Sequence, residues 1–255
     1  MLWRVSERAG VQRVWVYLLL ALGVGLFGRA AGPSDLYDND QPKTVAYTVD
    51  IVQHGHWLLP RDMLSQPATK PPLFNWIGAP ALAAFGPSEF VLKLPSILGG
   101  LVVMGLTIGM GQRLMVGSRS IPEHRAMPCL EAGVMAGLLW LASSVGMKHI
   151  YLARPDMVLA AALTGTWACA TICLRSQNPG RTTQAALWLC FALAALAKGP
   201  PAVLGVLFVI FGAKLLAGRW SAIARTGIAW GLPLSLLLVG GWLYAAHAAD
   251  PEGFR

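Results

Sequence analysis

The chain has 255 residues, of which 55% are hydrophobic and only 13% charged, and its mean hydropathy is +0.55. Water-soluble domains carry about 25% charged residues, so the composition excludes a soluble globular domain and defines an integral membrane protein. A net charge of +8 would suggest nucleic acid in a soluble protein; here it reads as the cytoplasmic bias of loop lysines and arginines, with no nucleic-acid partner.

The first apolar run, Val14 to Phe27, follows Arg4, Arg8 and Arg13 as a signal peptide would. It lacks a clear small-residue cleavage site and further spans follow, so it reads as a retained first helix, 14–31. Next comes a soluble-looking stretch, Tyr37-Asp38-Asn39-Asp40-Gln41-Pro42-Lys43. Pro42 suits the first turn of a helix, and Val45, Val49 and Val52 then share one stripe. Residues 41–56 therefore read as a short helix on the membrane surface, ended by Trp57-Leu58-Leu59-Pro60. Asp40 falls just before its N-terminus, where helix-end N–H groups favour a carboxylate. A helix cap and a catalytic acid or base are both open for it, and the two are compatible. His54 and His56, two apart, lack helical metal-ligand spacing.

Lys70 precedes Pro71-Pro72, read as a rigid extended pair. Its ammonium either snorkels to anionic headgroups or holds a lipid-linked phosphate. Residues 73–86 are apolar, but about 14 residues with Pro80 inside are too few to span. They fit an interfacial or re-entrant helix with Trp76 at headgroup level. The remaining spans are read at 91–112, 129–148, 156–174, 183–198, 200–217 and 226–247, the 183–198 run being short enough to tilt or re-enter. Gly99-Gly100 and the pair Gly105 and Gly109 lie inside a span, where small residues serve helix packing. Cys129, Cys169, Cys173 and Cys190 lie in or beside apolar segments and read as packed thiols. Asp156 opens the fourth span after Pro155, again as a cap or an acid. Lys198, before Gly199-Pro200-Pro201, occupies a break between apolar runs, where a lysine is costly unless it meets an anion.

Charge fixes the topology. With seven spans and the N-terminus inside, the inner segments hold eleven cations against three acids, and the outer segments nine of each. The whole excess then falls on one side, as the positive-inside rule requires. Counting 73–86 as a span would move the basic loop 113–125 outside. The same arrangement brings Asp40, Lys70, Asp156 and Lys198, distant in the chain, to one outer face.

Four blocks in order carry a family resemblance: Asp40-Gln41-Pro42-Lys43 through Gly55-His56-Trp57-Leu58-Leu59-Pro60; Lys70-Pro71-Pro72-Leu73 through Phe85-Gly86 to Lys93-Leu94-Pro95-Ser96; Ala153-Arg154-Pro155-Asp156-Met157; and Leu196-Ala197-Lys198-Gly199-Pro200. Together they resemble the GT-C membrane glycosyltransferases, specifically the dolichyl-phosphate-mannose–protein mannosyltransferase and aminoarabinose (lipid A) transferase group. The resemblance implies an all-α polytopic membrane protein with about seven transmembrane helices and juxtamembrane helices on the outer face, within 32–90. It implies that 1–255 is a single membrane domain, the N-terminal portion of a longer enzyme. The implied reaction moves a sugar from a polyprenyl-phosphate-linked donor to a lipid, protein or glycan acceptor. It takes place at the periplasmic face of a bacterial inner membrane, as in mannosyl transfer or lipid A modification.

Carried over residue by residue, the resemblance makes Asp40 the main catalytic carboxylate and Asp156 a second acid. Lys70 becomes the donor-phosphate ligand, with Lys198 and Arg154 at the same anionic group, and Lys43 and Trp57 are candidate substrate contacts. Gln41 stands where the family usually has Glu, which removes one acid beside Asp40. No cofactor is fixed, and a divalent cation is left open. Two readings from other classes remain. One is a non-catalytic polyprenyl-phosphate-binding or transport protein on the same helices, or an inactive fragment. The other is a generic transporter, disfavoured because the ionisable groups lie at span ends and not at the midplane.

Overall fold

The computed structural model describes residues 20, 21, 23–25, 27–29, 31–37, 40–116 and 126–253. Among these the chain is all α-helical, with one isolated β-bridge between Arg61 and Pro67. Helical residues of a first helix, α1, are seen at 20, 21, 23–25, 27–29 and 31; the rest of the expected 14–31 span lies outside the described residues. Then follow α2 (Asp40–His54), α3 (Leu73–Phe85), α4 (Glu89–Val116), α5 (Ala126–Ala142) and α6 (Ser144–His149). The second half holds α7 (Asp156–Arg175), α8 (Arg181–Lys198), α9 (Val203–Ala217) and α10 (Ile228–Ala249).

Four of the described helical stretches are long and apolar enough to cross a membrane: Glu89–Arg113, Asp156–Arg175, Pro200–Ala217 and Ile228–Ala249. The expected span 129–148 is broken at Ser143, whose Oγ accepts the Gly146 N–H at 3.0 Å and starts a separate short helix. The short run expected at 183–198 is the helix α8, whose first turn, Arg181-Thr182-Thr183-Gln184, is polar. The 73–86 segment is a short apolar helix, as expected.

The fold is organised around α7, which packs on α4, α8 and α9. Gly99 makes the α4–α7 crossing: a Cβ there would lie 2.8 Å from the Met157 carbonyl oxygen, so only glycine admits this approach. Further along α4, Gly111 passes the backbone of Gly133 on α5 in the same way. Gly105 and Gly109, by contrast, meet nothing and open onto a cavity that Arg113 and Arg175 also line. Since Gly99 meets the start of α7 and Arg113 shares a cavity with its last residue, α4 and α7 run parallel. Their N-termini share one end of the molecule and their arginines the other. Around α8 the core is Leu187, Trp188 and Phe191 against Cys173 and Val209. Trp188 donates its Nε1–H to the Thr226 carbonyl at 2.8 Å and accepts Ser235 Oγ–H at its own carbonyl at 2.7 Å, tying α10 to α8.

The sequence reading of α2 needs correction. Val52 is exposed and Val45 and Val49 are only half-buried, whereas Gln41, Thr44, Thr48 and Ile51 face inward. Polar groups go inside here because each finds a partner. Thr44 Oγ1 donates to the Asp40 carbonyl at 2.8 Å. Asn75 of α3 donates to the Thr44 carbonyl and to Thr48 Oγ1, both at 2.8 Å. Cys169 and Cys173 are free thiols, half-buried and buried, as expected.

Candidate active site

Three chain segments meet where α2, α4 and α7 begin. Gln41, 1% exposed, donates from Nε2 to the Asp35 carbonyl at 2.7 Å and accepts the Ala153 N–H on Oε1 at 2.9 Å. Ser96 Oγ shares its proton between the Leu152 carbonyl, 2.5 Å away, and the Arg154 carbonyl at 3.0 Å. The turn Leu152-Ala153-Arg154 is thus held from α2 and α4 at once, which fixes where the Arg154 side chain starts. Beneath it lies Lys93, fully buried, paired with Asp35 and with Glu89 (2.5 Å) and standing 4.1 Å over the Tyr151 ring. Arg29 completes this set by bonding Asp35 at 2.5 Å.

On that frame sit the expected site residues. Asp40 is the first residue of α2, one position later than expected, and its side chain is 54% exposed. Its Oδ2 lies 3.5 Å from Lys70 Nζ and 4.0 Å from Arg154 Nη2, so two cations flank one carboxylate. Lys70 comes from the strap before α3. Pro72 in that strap is not extended: at φ −87°, ψ 3° it is the N-cap that turns the chain into α3. Asp156 and Lys198, from the start of α7 and the end of α8, form an ion pair with each other. The anion that Lys198 needs is therefore Asp156, and the cap position of α7 belongs to Pro155.

A cavity of about 760 Å³ opens beside these groups. Lys43, Lys70 and Lys198 line it together with Val239, Trp242 and Leu243 of α10, whereas Asp40, Arg154 and Asp156 do not. Trp57 is not among its lining residues. The Trp57 carbonyl accepts the Trp76 Nε1–H at 2.6 Å, which ties the loop after α2 to α3. Lys70 and Arg154 flank Asp40, Lys198 pairs with Asp156, and Lys43 joins Lys70 and Lys198 on the cavity lining. Three lysines on one cavity suit an anionic ligand.

Sequence reasoning missed Gln41 as a buried hydrogen-bonding hub, having read it only as a departure from the family pattern. It also missed Lys93, although Glu89 and Lys93 at i, i+4 on a helix are a visible pairing signal. The α10 wall carried no signal, because its residues join the site only through the packing of α10.

A helical chain with spans long enough to cross a membrane, and with Asp40, Lys70, Asp156 and Lys198 gathered where α2 and α7 begin, has the fold of the GT-C glycosyltransferase ArnT over part of that protein's length. The crystal structure of ArnT from Cupriavidus metallidurans in the apo state superposes with a TM-score of 0.78 at 20% identity, over 94% of this chain and 43% of that one. The structure of the same protein bound to undecaprenyl phosphate gives a TM-score of 0.70 at 20% identity, over 98% and 42%. In sequence, the undecaprenyl phosphate-alpha-4-amino-4-deoxy-L-arabinose arabinosyl transferase of Shewanella sediminis (strain HAW-EB3) is 24% identical over 227 residues. That match covers 87% of this chain and 38% of the relative. No protein-family model matches the chain. The chain spans about two-fifths of the length of the relatives it matches.

Proposed function

We propose that this chain carries the donor-binding and catalytic end of a glycosyltransferase that uses a polyprenyl-phosphate-linked sugar. The reading includes seven spans, an N-terminus in the cytoplasm and a site at the periplasmic face of a bacterial inner membrane. It treats 1–255 as one membrane domain, the N-terminal portion of a longer enzyme that supplies the acceptor side.

The observation that carries the reading is the three lysines, Lys43, Lys70 and Lys198, that line one cavity. A sugar–phosphate–lipid donor is a phosphodiester with one negative charge. When the sugar leaves, the departing lipid phosphate is a monoester carrying close to two. Three lysines on one cavity match the departing group better than the donor, and only interactions that strengthen on the way to the transition state speed the reaction. Lys70 and Arg154 hold the phosphate beside Asp40, Lys198 reaches it from α8, and Lys43 borders the same cavity. Asp40 takes the proton of the acceptor hydroxyl or orients it for attack on the anomeric carbon. Asp156 aims Lys198 by pairing with it. Trp57 acts through the loop it anchors and not through the cavity.

Asp40→Asn tests this. Transfer from a polyprenyl-phosphate sugar should fall by roughly 10²–10⁴-fold, while undecaprenyl phosphate still binds. A protein that only binds or carries the lipid has no turnover to lose, and transfer unaffected by Asp40→Asn would sink the assignment.

A further inference from the structure

Asp50, His54 and His56 stand apart from the cavity residues, and their ligand atoms converge. His54 Nδ1 lies 2.9 Å from Asp50 Oδ1, and His56 Nδ1 lies 3.2 Å from Oδ1 and 3.0 Å from Oδ2. All three ligand atoms fit within 4.8 Å of one another. The two rings stack with centroids 5.8 Å apart.

The spacing of His54 and His56 is not that of two ligands on one helix face, because the helix ends between them. Asp50 and His54 share a helix face as i, i+4 neighbours. Gly55, at φ +74°, then ends α2, and the helical period no longer applies. The left-handed turn folds His56 back over Asp50, and the Trp57 N–H closes it on the Gly55 carbonyl at 2.9 Å.

We propose that Asp50, His54 and His56 bind a divalent metal of the zinc class. Ligand atoms about 2.1 Å from a tetrahedral zinc lie roughly 3.4 Å from each other. The separations from Asp50, 2.9 Å to 3.2 Å, are within about half an ångström of that. Two imidazoles and a carboxylate suit zinc better than magnesium or calcium, which take oxygen ligands. The Arg61 N–H donates to Asp50 Oδ2 at 2.8 Å, the kind of outer hydrogen bond that orients a ligating carboxylate. Both histidines are exposed, at 61% and 46% of their side chains, so water completes the coordination. On binding, each Nδ1 gives its lone pair to the ion and the ring proton resides on Nε2.

The site stands where two ties meet. Asp50 holds the Arg61 backbone, and the Arg61 side chain bonds Asp250, at the end of α10, at 2.5 Å. A metal that locks the turn after α2 also steadies the segment that reaches α10.

The test uses the purified full chain in detergent, stripped with a chelator and titrated with Zn²⁺ and then Co²⁺. One equivalent of Zn²⁺ should bind, Co²⁺ should give the strong visible absorption of a four- or five-coordinate site, and Zn²⁺ should raise the melting temperature. His54→Ala and His56→Ala should each weaken binding by roughly tenfold or more and abolish the melting shift, while His149→Ala leaves both unchanged. Melting without metal checks that each variant is folded; both histidines are exposed, so truncation leaves no buried void. If the cluster is only a hydrogen-bonded clasp, no equivalent of Zn²⁺ binds. That result overturns the proposal, as does Zn²⁺ binding that survives in both variants.

Discussion

Gln41 and Ala153 are 112 residues apart in the chain, and the Ala153 N–H donates to Gln41 Oε1 at 2.9 Å. The same side chain donates from Nε2 to the Asp35 carbonyl. A neutral amide does both, accepting on one atom and donating from the other, whereas an ionised carboxylate can only accept. This is why a glutamine here is compatible with a well-built site beside Asp40: it spaces the Ala153-Arg154 turn from the start of α2.

Gln41→Glu should therefore destabilise the protein and not improve it. An ionised glutamate would lose the bond to the Asp35 carbonyl and bring a charge into a position that is 1% exposed. An unsatisfied buried polar group costs about 1–3 kcal/mol, and a charge costs more. Thermal unfolding in detergent checks this, and a variant at least as stable as the parent would contradict the role given to Gln41.

Lys70→Ala should weaken undecaprenyl phosphate binding while leaving the fold intact, since Lys70 is partly exposed and contributes no core contact. Hydrogen bonds to charged groups are worth about 1.5–3 kcal/mol, so the dissociation constant should rise by roughly 10–100-fold. Native mass spectrometry of the chain with added lipid gives the ratio directly. Affinity that does not change would remove Lys70 from the phosphate site.

Lys93→Met probes the frame beneath the site. Asp35 and Glu89 both lean on this fully buried lysine, and breaking a buried pair from one side typically costs 3–5 kcal/mol, whereas neutralising all partners is far milder. The single variant should melt well below the parent, and adding Asp35→Asn and Glu89→Gln should restore much of the loss. Equal melting of the single and triple variants would mean that the network carries no stability.

Alkaline pH should loosen the same region through Tyr151. Burial, and next the charges of Glu89 and Asp35, push its hydroxyl above the ordinary value of 10.0, with Arg29 opposing. A raised folded value means that the folded chain holds the proton longer. The stabilisation is complete below pH 10.0 and is lost as pH rises through the folded value. Parent and Tyr151→Phe melting curves should run parallel near neutrality, and above pH 10.0 the parent should lose stability faster. Parallel behaviour across the alkaline range would exclude the tyrosine as the cause.

Much of this was legible beforehand where local chemistry decides. Composition and apolar length marked the membrane class, and the blocks around Asp40, Lys70, Asp156 and Lys198 pointed to residues the structure gathers at one end. What stayed hidden depended on tertiary satisfaction. A threonine-rich face on α2 looks like an outer surface until Asn75 arrives from α3 to bond it. Ser143 looks like one residue of a span until its Oγ caps a new helix. Pro72 looks extended until it is seen to start α3. Trp242 and its neighbours on α10 have no pattern of their own that marks them for a site.

One wall of the cavity belongs to a helix with hardly any inside. Only 11% of the apolar window of α10 is buried, yet Val239, Trp242 and Leu243 line the cavity, and Leu243 is itself 40% exposed. Within this chain, the α10 side chains that line the cavity also reach its outer surface. A ligand with an isoprenoid tail can present its head to the lysines sideways while the tail stays among lipid. Each CH₂ drawn into water would cost about 0.8 kcal/mol, and lateral entry avoids that cost along the whole tail. For the proposed polyprenyl-phosphate donor, such a wall would let the bilayer itself serve as the corridor of arrival and departure.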